Sequence, residues 1–417
     1  MTENEFDVLV IGAGPSGAVA SAMLVQRGWK VLVVEKEYFP RFSIGESLLP
    51  QCMEYIEQAG LLPALTDNAQ ALGFQFKNGA AFHHAGKDSH FDFTEKFSPG
   101  HGTTYQVKRD VFDKLLADGA AEQGVEIRYG HQVTAMVTET DGVALTVLDP
   151  AKKSYQVRGK YVLDASGFGR VLPRLLKLER PSTFPVRQAY FAHINDNISD
   201  LSFDRNKILI TVHPHHPDIW YWLIPFSDGS ASIGVVGKPE QFSQYSASSD
   251  QEILFDFINQ DPNLRELLKS ATPKEDTRSI KGYSANVTTL HGERFALLGN
   301  AGEFLDPVFS SGVTIALKSA ALIAPLLDKY LKNEAVDFES QYSDPLKLGV
   351  NCFKTFVTAW YDTRFQHVVF HQGQADDSVT KMISSILAGY AWDTKNPYVA
   401  QSERRLNVLA ELCADHA

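Results

Sequence analysis

Cysteine is scarce in this chain. Its 417 residues include three cysteines, Cys52, Cys352 and Cys413. They lie far apart and match neither a disulfide framework nor the spacing of a metal site. Buried, reduced thiols in a cytoplasmic protein are the expectation. Positive charge is also in short supply, with 39 Lys and Arg against 50 Asp and Glu and a net charge of -11. Polyphosphate recognition needs a basic face, so the balance argues against general nucleic-acid binding. No apolar run reads as long enough to span a bilayer. Residues 1–6 are polar and acidic, unlike a secretory leader. Internal repeats, low-complexity linkers and long polar tracts are missing too, which argues against disorder.

Hydrophobic residues make up 44% of the chain, enough for a large core and two or three lobes. Near the start, residues 6–11 form an apolar run of strand type. The turn Gly12-Ala13-Gly14-Pro15-Ser16-Gly17 follows it. Residues 18–26 are small and apolar, as in a helix packed on a sheet, and Gly28 ends that helix. Residues 30–35 are a second apolar strand, which completes a βαβ unit. Gly12 permits the tight turn, Gly14 lets backbone approach a pyrophosphate, and Gly17 lets the helix sit close to the strand. The helix N-terminus turns its positive end to the phosphates. Glu35 stands 23 positions after Gly12, where a carboxylate can accept from a ribose. A dinucleotide site follows, and the glycines alone do not choose between NAD and FAD.

Further along, residues 108–123 have helical periodicity and Gly124 stops them. Residues 125–147 alternate like strands. Residues 161–165 form a buried strand closed by Ser166-Gly167. Several alternating segments lie between 186 and 236, among them 207–212, 220–225 and 231–236, and read as an antiparallel sheet. Residues 295–298 return to the buried-strand type, 312–331 form a long apolar helix, and the chain beyond 338 looks mainly helical. The expected class is α/β: a discontinuous Rossmann-like domain with an inserted antiparallel sheet and a helical C-terminal region. His213-Pro214-His215-His216-Pro217 looks metal-like. Its prolines and lack of acidic neighbours favour a turn at the sheet edge, and no metal is expected.

Three segments carry chemistry. Trp220-Tyr221-Trp222-Leu223-Ile224-Pro225 places two indoles on one face of a strand. Phe304-Leu305-Asp306-Pro307-Val308-Phe309-Ser310-Ser311-Gly312 precedes the long helix. Its Ser311 and Gly312 N–H groups can form an anion nest, helped by the helix dipole. Asp306, just before Pro307, reads as a turn residue rather than a general base. Lys77 sits in Gly73-Phe74-Gln75-Phe76-Lys77-Asn78, after Gly45-Glu46-Ser47-Leu48-Leu49-Pro50.

With the turns at 161–167 and 295–302, these segments resemble the FAD family that includes aromatic hydroxylases, geranylgeranyl reductases and flavin-dependent halogenases. The resemblance runs from Phe6 to at least Phe370. The segment 220–225 fits the W-x-W-x-I-P pattern of the halogenases, and 304–312 fits their F-x-x-P-x-x-S-x-G. The resemblance implies an FAD-binding domain from 1–60, 100–180 and 285–335. A substrate domain follows from 61–99 and 181–284, and a helical region from 336–417. It implies that FAD is held by Gly12, Gly14, Ser16, Gly17, Glu35, Lys36, Arg41, Ser47, Gln106, Arg109, Ala165, Gly167, Asn300, Pro307, Gly312 and Val313. The family usually has Asp at the place of Asn300, whose amide still accepts a hydrogen bond without the charge.

The implied reaction uses reduced FAD from a separate reductase, O2, and chloride or bromide held near Ser311 and Gly312. Hypohalous acid then reaches Lys77, whose amine donates to it or forms a haloamine. Trp220 and Trp222 fill the space where a hydroxylase admits substrate. Tryptophan halogenases have a glutamate where this chain has Phe309, so Phe309 and Tyr361 are expected beside a phenolic, pyrrolic or polyene-type substrate, free or carrier-tethered. A monooxygenase or reductase on the same fold, or a non-catalytic flavoprotein, are the alternatives.

Overall fold

Two large sheets, built on opposite rules, organise the protein. The computed structural model describes residues 4–243, 249–371 and 377–414. The remaining residues of the expected segments 1–60, 181–284 and 336–417 lie outside the described residues. The first sheet has six strands in the order His291–Gly292, Phe295–Leu297, Tyr161–Asp164, Val8–Ile11, Val31–Glu35, Glu126–Tyr129. All neighbours run parallel except the first pair. A parallel strand covered on both faces has no solvent side and so needs no alternation. Val8–Ile11, Val31–Glu35 and Tyr161–Asp164 are accordingly buried at every position.

The helix Pro15–Val25 lies against this sheet at a spacing only glycine allows. A Cβ at Gly17 would fall 2.0 Å from the Gly12 carbonyl oxygen. Gly12 has a φ of +96°, and a Cβ there would sit 2.7 Å from the Ala165 carbonyl oxygen. The helix Ser311–Leu331 completes the layer, with Leu317, Ala320, Ile323, Ala324 and Leu327 fully buried. Its length and apolar composition are enough to cross a membrane, which corrects the expectation drawn from runs of sequence. Here those residues form part of the largest core cluster.

The second sheet has eight strands. Seven follow the order Thr272–Pro273, Gln188–Asn195, Ser230–Gly237, His216–Pro225, Lys207–His213, Gly79–His84, Lys87–Asp92, and Arg278–Lys281 also pairs with Gln188–Asn195. It departs from a purely antiparallel sheet at one seam, where Lys207–His213 runs parallel to Gly79–His84. Those strands come from distant stretches with no hairpin between them, so nothing forces them antiparallel. Alternation sorts the sheet into two cores. Trp220, Trp222 and Ile224 enter the large one, while Tyr221 and Leu223 pack with Phe257 and Ile258 of the helix Asp250–Gln260. The expected turn falls at Pro214 and His215, in the hairpin that joins Lys207–His213 to His216–Pro225; these are interior strands rather than an edge of the sheet. His213 is buried there, 3.1 Å from Gln260 Oε1 and stacked on Tyr221.

Candidate active site

The carboxyl ends of parallel strands, where α/β sheets bind ligands, open into a cavity of about 830 Å3. Gly12, Gly14 and Ser16 line one part of it, beside Glu35, Lys36 and Arg41. The helix Pro15–Val25 starts at Gly14 with no side-chain cap and no acidic residue in its first turn. Its leading N–H groups are therefore available to an anion. Glu35 is 5% exposed, and its carboxylate accepts the Ala13 N–H at 2.8 Å and the Glu37 N–H at 2.9 Å. A carboxylate offers about four acceptor sites, so capacity remains for a ribose. Ala165, Gly167 and Asn300 also line it, as do Trp220, Trp222, Pro307, Ser310, Gly312 and Val313. Uncapped backbone donors, a carboxylate and an aromatic wall match the phosphates, ribose and ring system of FAD.

Of the residues expected to hold the cofactor, only Gly17 and Gln106 fail to line this cavity. Gly17 acts through helix packing. Gln106 is fully buried and donates to the Arg205 carbonyl at 3.1 Å. Arg109 is at the cavity, but its donors are spent elsewhere. Nε and Nη2 reach Asp113 at 2.7 and 3.1 Å, and Nη1 reaches the Ile44 carbonyl at 2.6 Å. It fastens the loop before Ser47 to the helix Arg109–Glu122. Arg41 joins the same carboxylate of Asp113 at 3.2 Å.

The Trp pair is set as strand geometry requires, with ring centroids 5.9 Å apart. Trp222 donates to Ser232 Oγ at 3.1 Å, and its indole covers Gly234, where a Cβ would lie 2.3 Å from the ring. Trp220 donates to Tyr361 Oη at 2.9 Å.

Lys77 is fully buried and does not line the cavity. Its amine donates to Ser47 Oγ and to the Leu48 carbonyl, each at 2.8 Å, and lies 5.4 Å from the centre of the Phe93 ring. Burial lowers its pKa to about 7, against a smaller opposing effect of Cys52. Ser47 lines the cavity and also holds the amine, so one hydroxyl stands between Lys77 and the cofactor chamber. Ser311 is buried away from the cavity while Gly312 faces it. Phe309 is not on the cavity either. It packs edge-on against Trp360 at 5.7 Å and Phe365 at 5.5 Å, inside an aromatic block that includes Phe82 and Phe356. Tyr361 is joined to the cavity through Trp220 rather than by lining it.

Several participants have no sequence signature. Glu46 lines the cavity and meets His193 Nε2 at 2.5 Å across 147 positions of sequence. Burial works to lower the His193 pKa, but the carboxylates of Glu46 and Glu275 outweigh it and raise it. Asp113 is the exception: it pairs with Arg109 at the i,i+4 spacing of one helix, a signal the sequence does carry. Asp306 is a turn residue, as its place before Pro307 implies, and also the acceptor for Tyr361 at 2.9 Å.

The FAD binding domain family matches residues 5–340. The chain is 32% identical to a pyrrole-2-carbonyl peptidyl-carrier-protein brominase of Pseudoalteromonas luteoviolacea, over 75% of each chain. It is 26% identical to the corresponding chlorinase of Pseudomonas fluorescens, over 100% of this chain and 96% of that one. Among solved structures, a flavoprotein/dehydrogenase from Cytophaga hutchinsonii superposes with a TM-score of 0.93 at 41% identity, covering 98% of this chain and 99% of that one. A flavin-dependent brominase superposes with a TM-score of 0.83 at 26% identity, covering 99% and 100%.

Proposed function

The chain belongs to the FAD binding domain family and to its flavin-dependent halogenase branch, and on that premise we propose the reaction its own residues carry. The protein is an FAD-dependent oxidoreductase using chloride or bromide. The substrate we propose is an electron-rich ring, pyrrolic or phenolic, free or tethered to a carrier protein as in the two bacterial relatives. When bound and reduced, FAD supplies the activation of O2 that oxidises halide to hypohalous acid. A separate reductase delivers the electrons, since one glycine fingerprint serves one dinucleotide. The three unpaired, buried thiols support a cytoplasmic location.

The observation that carries the reading is the pairing of an indole wall with a buried amine behind a single hydroxyl. Trp220 and Trp222 occupy the cavity wall and keep bulky substrate and water from the ring system. Gly312, at the head of the helix Ser311–Leu331, lines the cavity, no side chain caps that helix, and its N–H suits a halide. Ser47 leads from the cavity to Lys77. With a pKa of about 7, Lys77 supplies both forms near neutrality: an ammonium that donates to hypohalous acid, and an amine that takes up its halogen.

The test is turnover of FAD-loaded protein with a flavin reductase, bromide and an electron-rich phenol or a pyrrolyl thioester, followed by mass spectrometry. Brominated product that disappears in Lys77→Ala supports the reading. Product in full yield from that variant overturns the role of Lys77. Hydroxylated or reduced product with no dependence on bromide supports a second reading, a monooxygenase or reductase, which the separation of Lys77 from the cavity favours.

A further inference from the structure

Between the Trp pair and the turn that heads the long helix lies a chain of hydrogen bonds that neither the glycine turn nor Lys77 uses. Trp220 Nε1 donates to Tyr361 Oη at 2.9 Å. Tyr361 Oη donates to Asp306 Oδ2 at 2.9 Å. Tyr283 approaches the same oxygen at 3.4 Å. The other oxygen of Asp306 accepts the Val308 N–H at 3.1 Å and so caps the turn Pro307–Phe309. That turn leads into Ser310, at a left-handed φ of +56°, and then into Ser311 and Gly312. On the opposite side, the Arg187 guanidinium lies 3.7 Å from the centre of the Tyr361 ring and is tied to the Asp218 carbonyl at 3.0 Å.

The polarity of this chain is fixed by chemistry. An indole N–H can only donate, so Tyr361 Oη accepts from Trp220 and must give its single proton elsewhere. Asp306 is the acceptor, and as a carboxylate it accepts with both oxygens. A protonated Asp306 still accepts at its carbonyl oxygen, but among these residues its new O–H meets only groups that already donate to it, Tyr361, Tyr283 and the Val308 N–H. Protonation therefore weakens one hydrogen bond of the chain, at Tyr361 or at the turn.

We infer that Asp306 is a positioning residue that couples the turn 307–312 to the Trp220 indole through Tyr361. This rests on the proposed function insofar as the turn's anion is the halide. The charged and titratable groups facing Asp306 are Tyr361, Tyr283 and Arg187, the last held by Asp218. Burial is the largest influence on Asp306 and raises its pKa to about 6, against the Val308 and Tyr361 hydrogen bonds and Arg187. Loss of the coupling therefore falls on the acid side of neutrality.

The test labels the full-length, FAD-loaded protein with fluorotryptophan, assigns the Trp220 resonance with Trp220→Phe, and titrates it through pH 6. The expected resonance shifts with a midpoint near 6, and the shift is absent in Asp306→Asn and Tyr361→Phe. In both variants KM for bromide is expected to rise roughly fivefold to tenfold, the loss of one hydrogen bond, with a smaller change in kcat. A Trp220 resonance that ignores pH, or that still titrates in a folded Asp306→Asn or Tyr361→Phe protein, overturns the inference. So does an unchanged KM alongside the expected shift. If the wild-type protein brominates nothing, the halogenase reading fails, and the fluorine titration still decides the coupling of Asp306 to Trp220.

Discussion

The cofactor chamber and the aromatic block behind it solve opposite problems. The chamber is open, about 830 Å3, and much of its shape is set by backbone: a glycine turn, an uncapped helix N-terminus and strand ends. The block is closed, and its shape is set by side chains from distant segments, with Phe82, Phe309, Trp360 and Phe365 filling one another's gaps. Lys77 lies buried on the far side of Ser47 from the chamber. An open chamber receives a ligand that arrives intact. A closed one admits only what is small, or what arrives while the packing opens. The separation fits a reaction whose diffusing species is small.

The comparison can be broken most severely at the glycine turn. Gly17→Val places methyl groups where even a Cβ lies 2.0 Å from the Gly12 carbonyl oxygen. Complete loss of FAD is expected, read as flavin absorbance remaining after desalting. Lys77→Met leaves the chamber intact and removes the amine behind Ser47. Halogenation is expected to fall by about 100-fold or more, with FAD retention unchanged. The same variant sharpens the contrast through pH. Wild-type Lys77 has a folded pKa near 7 against 10.5 for a free lysine. Between those values the unfolded chain binds more protons, so this residue makes stability rise with pH. Denaturant midpoints measured across that window should lose that component of their slope in Lys77→Met.

Phe309→Ala opens the block rather than the chamber. A cost of about 3–5 kcal/mol in unfolding free energy is expected from the cavity it leaves, with FAD affinity little changed. Larger aromatic substrates should then show a lower KM if the block gates entry. The smallest effect is at Asn300→Asp, which adds charge to an acceptor on the chamber wall. Replacing a neutral hydrogen bond by a charged one is worth about 1 kcal/mol, so FAD should bind roughly fivefold tighter by titration calorimetry.

The same division separates what the sequence discloses from what it hides. The turn 12–17, Glu35 and the strands 8–11, 31–35 and 161–164 were legible because each depends on residues close in sequence. The one-faced Trp220 and Trp222 pair followed from the two-residue period of a strand. Arg109 lines the cavity, but its attachment to Ile44 and Asp113 depends on a loop the sequence leaves shapeless. The contact of Glu46 with His193, and of Asp306 with Tyr361, spans 147 and 55 positions. No periodicity carries information over such distances. The parallel seam between Lys207–His213 and Gly79–His84 was missed for the same reason.

The order of strands in the six-stranded sheet also has a consequence for synthesis. Val8–Ile11 pairs with Tyr161–Asp164, which in turn pairs with Phe295–Leu297. A nascent chain therefore displays its glycine turn early but cannot complete the crevice around it until residue 316 has left the ribosome. Pairings of such long sequence separation form slowly, and until they do the apolar strands stay exposed to other chains. A flavin that binds only the finished crevice draws the chain toward the native state by mass action. Supply of the vitamin precursor during expression should then set how much of this protein is recovered folded.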